Sequence, residues 1–197
     1  MTALQRLTTS EVAKLALIVL MILAGRSSLA DHYHIPSGSM EHTLRAGDRV
    51  LVDKRAYGLR IPFTQFTVLG GHPARRGDIA IFDSPLDGTR LIKRVVAVGG
   101  DEVELKDGRL IINGQALRMG PSRERFGSRI AELNLESGGG SDAYIRRVPV
   151  GTVLALGDHR GNSRDGRAFG LLPEAALYGR AVAVYFREDD AFVWKRL

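Results

Sequence analysis

The chain has 197 residues, 44% hydrophobic and 25% charged, with a net charge of +6 and no cysteine. It is long enough to bury a core as one main domain, and it excludes disulfides, thiolate metal sites and a cysteine nucleophile. The basic excess suits nucleic acid or an anionic membrane surface, but basic runs end at pairs such as Arg75-Arg76 and Arg146-Arg147 and no aromatic residues interleave them, so nucleic acid is not expected as a partner.

Residues 1–11 read as a short tail. Residues 15–25 form an eleven-residue run without a charge, bracketed by Lys14 and Arg26. As a helix, the wider stretch 12–30 spans about 28 Å, close to the roughly 30 Å of a bilayer core. Lys14 and Arg26 would then reach the two interfaces. A transmembrane anchor over 12–30 is the expectation. A cleaved signal ending at Ser28-Leu29-Ala30 and a buried helix are the competing readings. The flanking charges barely differ, so they specify orientation weakly.

From Asp31 onward, short apolar runs alternate with Gly, Pro and Asp. Strands are expected at 49–52 after an Ala46-Gly47-Asp48 turn, at 78–82 after Arg76-Gly77, and at 91–98 before Gly99-Gly100. Segments 102–106 and 109–113 flank Asp107-Gly108, a strong hairpin signal. Further strands fit 153–156, stopping at Gly157, and 180–186, where Val182, Val184 and Phe186 alternate with smaller residues. A short helix fits 173–177, opened by Pro173 and closed by Gly179. The soluble part is therefore mostly β, an antiparallel β-barrel or sandwich. Residues 119–147 are polar and contain Ser137-Gly138-Gly139-Gly140-Ser141, which reads as an insertion with a flexible loop beyond the hairpin tip.

Chemistry is concentrated near Ile35-Pro36-Ser37-Gly38-Ser39-Met40. Small residues around Ser39 let a carbonyl approach it, although most Ser-Gly-Ser clusters are ordinary turns. A serine nucleophile needs a base. Among the histidines His159, in the Gly157-Asp158-His159-Arg160 turn, allows a Ser-His-Asp arrangement; the plain alternative is that all five histidines are solvated. His32 and His34 have metal-ligand spacing but no carboxylate to complete a site, and no metal or other cofactor is expected. Lys93 interrupts an apolar strand, and alternation sends Lys93 and Arg94 to opposite faces. It reads either as an edge-strand lysine or as a base. A free lysine has a pKa of about 10.4, and bringing it near 7 takes about 4.6 kcal/mol of preference for the neutral form, within reach of desolvation among neighbours such as Ile92, Val95 and Met40.

Four blocks taken together resemble the type I signal peptidases, the serine/lysine peptidases of bacterial membranes. They are the segment from Ile35 to Met40 continuing to Thr43-Leu44 and Gly47-Asp48, the stretch 76–82, the strand 92–96 with Gly99-Gly100-Asp101, and the stretch 156–167 running into 169–173 and Gly179-Arg180-Ala181. The resemblance spans about 35–186. It implies Ser39 as nucleophile and Lys93 as base, with the Ser37 hydroxyl and the Ser39 N–H as an oxyanion hole. Ser163 would orient the lysine, Asp165 and Arg167 would form a supporting ion pair, and Met40 is a candidate for the substrate pocket.

The resemblance also implies a catalytic domain over 31–197 with a small β insertion at about 106–147. The enzyme would be held in the bacterial inner membrane by a single pass, facing the extracytoplasmic side, and would cut secretory preproteins at Ala-x-Ala-like sites. His42 stands where the family commonly has proline, and His159 where it often has asparagine. Three alternatives remain at this point: a conjugative-transfer peptidase that processes a pilin, a repressor-type autoprotease, and a non-enzymatic membrane-tethered β module. An apolar segment occupies the place where a repressor would carry its DNA-binding helices.

Overall fold

A computed structural model describes residues 9–60 and 67–197; most of the expected tail over 1–11 lies outside them. Helix α1 covers Thr9–Ser28 and leads directly into strand β1, Ala30–His34. Its large apolar side chains, Leu15, Leu17, Ile18, Leu20 and Met21 among them, are about half exposed, so it is not a core helix. Glu11, Lys14 and Arg26 all fall within it, and the eleven charge-free residues between the last two amount to about 16 Å, half a bilayer core. Among the described residues no helix is long and apolar enough to cross a membrane. Within the expected stretch 12–30 the helix ends at Ser28, and Ala30 is already paired with Asp53.

The main sheet is antiparallel. Its order is β1, β2 (Arg49–Asp53), β15 (Gly179–Arg187), β5 (Ile79–Asp83), β6 (Arg90–Val98), β13 (Thr152–Leu156) and β14 (Leu172–Pro173), with β16 (Ala191–Arg196) on the far half of β15. The two end strands β1 and β14 do not pair, so the sheet is open. The barrel alternative is thereby corrected to an open, bent sheet. Bulges in β15 and β13 supply the bend.

A second sheet, β12 (Ala143–Ile145), β7 (Val103–Lys106), β8 (Arg109–Ile112) and β9 (Gln115–Ala116), lies between β6 and β13 in the chain, with the hairpin β10 (Arg123–Phe126) and β11 (Arg129–Glu132) beside it. Another short hairpin joins β3 (Gly58–Arg60) to β4 (Thr67–Gly70). The Asp107-Gly108 turn has φ of 48° and 72°, as the expected hairpin requires. Asn113-Gly114 repeats the device at 52° and 74° between β8 and β9, a turn whose Asn-Gly signal the sequence reading passed over. The helix expected at 173–177 is only a 3-10 turn at Glu174–Ala176.

Ser137 to Gly140 is not the free loop that its glycines suggest. A Cβ on Gly139 would stand 2.1 Å from the Asp107 carbonyl carbon, and one on Gly161 would stand 2.1 Å from the Ser137 oxygen. Glycine here allows backbone to lie on backbone, wedging the loop between the β7–β8 turn and the 157–167 segment.

Two buried arginines hold that segment down. Arg94 makes a two-pronged contact with Asp158 (2.9 and 2.7 Å) and donates to the Gly77 carbonyl. Arg160 reaches Glu124 at 2.7 Å and the Gly108 carbonyl at 2.6 Å, and Glu124 also accepts the Leu110 N–H. Both partners of the second pair have fully buried side chains. Such a pair adds little stability over an apolar substitute, but half of one is costly. Arg160→Met should lower unfolding free energy by about 3–5 kcal/mol, and Arg160→Met with Glu124→Leu should recover most of it, as read by urea denaturation.

Candidate active site

Ser39 sits on a 3-10 turn, Gly38–Met40, in the link between β1 and β2. The link is closed at its base by two bonds of 2.9 Å, Ile35 N–H to the Asp48 carbonyl and Gly47 N–H to the Ile35 carbonyl. Arg187 clamps the fully buried Asp48 carboxylate from β15 at 2.8 and 2.9 Å. Met40 and Leu44 are pegs with no exposed surface, packed with Ile35, Val52 and Ile81. Met40, the candidate for the substrate pocket, has no exposed surface and supports the turn from below. Ser39, next to this peg, is left partly exposed.

Lys93 comes from β6, and its alternation with Arg94 is as expected. Lys93 turns to Ser39, with Nζ 2.6 Å from Oγ, while Arg94 turns to Asp158 on the other face. The amine also donates to the Ile92 carbonyl at 3.1 Å. Lys93 is only 2% exposed. Burial lowers its pKa to about 8, against the pull of the Asp165 and Asp158 carboxylates, which favour the ammonium form. This is less than the shift to near 7 that the sequence argument asked for. It still leaves about one amine in ten neutral at pH 7, against about one in 2,500 for a free lysine.

The two carboxylates are neutralised by partners of their own. Asp158 is held by Arg94 and by the Thr43 hydroxyl at 2.5 Å. Arg167 grips Asp165 with two contacts of 2.8 Å, and the Gly157 N–H reaches the same carboxylate at 2.9 Å. Burial alone would raise the Asp165 pKa, but these bonds outweigh it and hold it below the ordinary carboxylate value. Asp165 and Arg167 therefore form the ion pair anticipated for them.

Ser37 and Ser39 hydroxyls are 3.4 Å apart. The Ser39 N–H has no acceptor among the described residues, as befits the first turn of a short helix. The Ser163 hydroxyl is buried and has no hydrogen-bond partner among the described residues. It lies over Gly157, where a Cβ would stand 2.1 Å from Ser163 Oγ and 2.5 Å from the Ser39 carbonyl oxygen. Only glycine lets the two serines close over that point.

A cavity of about 40 Å³ is lined by Tyr33, Ile35, Pro36, Ile81, Leu91 and Ile92 among others. It lies between the residues just before Ser39 and those just before Lys93, and it has room for a methyl-sized group. Two larger clefts, about 440 and 640 Å³, lie against Arg129; like the small cavity, neither includes Ser39 or Lys93 in its lining.

Of the histidines, the one anticipated as a conceivable triad base, His159, is buried at 7% exposure. It touches the nucleophile turn through backbone atoms and not through Ser39 Oγ. The lysine, not the histidine, faces the hydroxyl.

The family profile described as "Signal peptidase, peptidase S26" matches residues 9–186. A signal peptidase I of Pseudomonas fluorescens is 34% identical over 197 aligned residues, covering 85% of this chain and 69% of that protein. The signal peptidase I of Pseudomonas aeruginosa is 32% identical, over 88% of this chain and 70% of its own. A probable signal peptidase I-1 of Synechocystis is 33% identical, over 92% and 82%. A solved signal peptidase I from Enterococcus faecalis overlaps 55% of this chain and 97% of its own at 28% identity, with a TM-score of 0.43.

The buried amine generates a stability prediction. A lysine whose folded pKa lies below its unfolded one resists protonation in the native state. Below about pH 8 both states are protonated and the folded protein bears the whole penalty, about 3 kcal/mol; the penalty fades as pH rises from 8 to 10.5 and is absent above. Lys93→Met should therefore be more stable than the parent at pH 6–7, and the gap in urea-derived stability should close toward pH 10.5.

Proposed function

The chain belongs to the signal peptidase family, peptidase S26, and from that premise we propose that Ser39 and Lys93 are the dyad with which it hydrolyses the bond between a signal peptide and the secreted protein. The activity itself, removal of signal peptides by a serine endopeptidase, follows from family membership. The assignment of the dyad rests above all on one observation, the 2.6 Å contact between a buried amine and a half-exposed hydroxyl.

In the neutral form, the Lys93 lone pair accepts the Ser39 proton while Ser39 Oγ attacks the scissile carbonyl carbon. Negative charge develops on the carbonyl oxygen, and the Ser39 N–H and Ser37 hydroxyl donate to it. Lys93, now an ammonium, passes its proton to the departing amine of the mature protein, leaving an acyl-enzyme. Water then gives Lys93 a proton, attacks the ester carbonyl, and collapse of the second tetrahedral intermediate returns the Ser39 hydroxyl. Ile92 O keeps one amine N–H occupied, and Ser163 is the hydroxyl available to fix another.

The small cavity beside Pro36 and Ile92 favours alanine-sized side chains near the cut, because a methyl fills it and a leucine would have to force it open. Preproteins with Ala-x-Ala-like sites are the substrates this suits. Helix α1 would hold the enzyme at the lipid bilayer: its exposed Leu, Ile, Val and Met side chains are unfavourable in water, and the exposed Lys14 can extend toward headgroups. In that reading the enzyme is held at the bacterial inner membrane with its sheets on the extracytoplasmic side, and the anchor raises its encounter rate with membrane-held substrate.

In a cleavage assay with a preprotein in detergent, Ser39→Ala and Lys93→Ala should each lower kcat by on the order of 10⁴-fold or more with circular dichroism unchanged. The parent's kcat/KM should rise with pH along a one-proton limb centred at about 8. An active Lys93→Ala enzyme, or a limb that survives in it, refutes the dyad.

A further inference from the structure

We propose that His159 is a positioning residue that aims the Ser39 N–H at the developing oxyanion. The inference rests on the oxyanion role assigned above to that N–H.

The His159 ring is in a defined tautomer. Nδ1 lies 3.2 Å from the Gly38 carbonyl oxygen, which can only accept, so Nδ1 carries a proton and donates. Nε2 lies 3.3 Å from the Ser137 hydroxyl, which donates to it when the ring is neutral. The Glu41 carboxylate, 3.5 Å from Nδ1, favours the same protonated nitrogen. The ring thus ties the nucleophile turn to the wedged glycine loop, and Arg167 holds that loop in turn through the Gly139 carbonyl at 3.0 Å.

The carbonyl that His159 grips belongs to a particular peptide unit. Gly38 C=O and Ser39 N–H are the two ends of one planar trans amide, so they point in opposite directions. Fixing the oxygen fixes the direction of the N–H. A donor on the oxygen also polarises the amide and makes its N–H a stronger donor. The Glu41 N–H shares that oxygen at 3.0 Å, and the His159 main-chain N–H holds the next carbonyl, that of Ser39, at 3.2 Å. Two bonds, from the His159 ring and the Glu41 N–H, therefore restrain the plane that carries the oxyanion donor, and a third holds the peptide unit after it. Only the ring bond can be altered by substitution without disturbing the backbone.

Two conservative substitutions separate this role from bulk packing. The amide nitrogen of asparagine falls near Nδ1, whereas that of glutamine falls near Nε2. His159→Asn should keep kcat within about threefold of the parent, since the bond to Gly38 O is retained. His159→Gln and His159→Phe should each lower kcat by about tenfold with KM within twofold, because the interaction is realised in the transition state. The measurements are kcat and KM on a preprotein, with thermal unfolding of every variant alongside and Ser39→Ala as control. Equal kcat values for the Asn and Gln variants, whether both high or both low, overturn the inference, as does a loss carried by KM. Should Phe unfold the protein, the Asn–Gln pair decides alone. Should Ser39→Ala remain active, the underlying reading fails, and not merely this extension of it.

Discussion

The structure depends on keeping one amine dry while two carboxylates sit close to it. Desolvation moves Lys93 toward the neutral form, and Asp165 and Asp158 pull it back. Left bare, those carboxylates would stabilise the ammonium form. Arg167 and Arg94 each take one of them in a two-pronged contact, leaving only the residual field of a neutralised pair. The arginines thus act on the lysine through charges they never let it see in full.

Strand geometry makes this arrangement compact. Consecutive residues of β6 point to opposite faces, so Lys93 reaches Ser39 while Arg94 reaches the 157–167 segment behind it. That segment in turn supplies Ser163, Asp165 and Arg167 to the site, and its Gly157 lets Ser163 and the Ser39 carbonyl meet. One strand and one loop carry nearly every group around the amine. A displacement of β6 by a single register step would exchange the two side chains and leave an arginine against the serine.

Much of this was legible in the sequence because it depends on local rules. A charged residue in the middle of an apolar strand is expensive, so Lys93 stood out, but an edge-strand lysine fits that pattern as well as a base does, and the four-block resemblance is what separated them. Asp107-Gly108 and the run at 180–186 follow from turn chemistry and alternation. What stayed hidden depends on tertiary contacts. The glycines at 138–140 signal freedom when read alone, but the same missing side chains allow tight backbone packing, and only coordinates distinguish the two. Met40 is apolar beside the nucleophile, a pattern that suits a pocket wall and a core peg equally. Sheet closure is set by long-range pairing that periodicity does not encode, which is why a barrel was as readable as the open sheet observed. His159 shows no helical or strand period that would mark it as buried, and its contacts join residues 121 and 22 positions apart.

The balance at Lys93 also sets a limit on how far the pKa can usefully fall. Deeper burial would leave more of the amine neutral at pH 7, but a weaker base accepts the serine proton less readily, so the rate gains nothing once the pKa passes the working pH. Burial also destabilises the fold while the ammonium form persists in the unfolded chain. A value near 8 lies on the basic side of that optimum. It keeps a tenth of the amines ready at neutrality while retaining proton affinity for the attack. The residual pull of Asp165 and Asp158 on the amine opposes its burial, so the same arginine–aspartate pairs that limit protonation of Lys93 also limit how far its proton affinity falls.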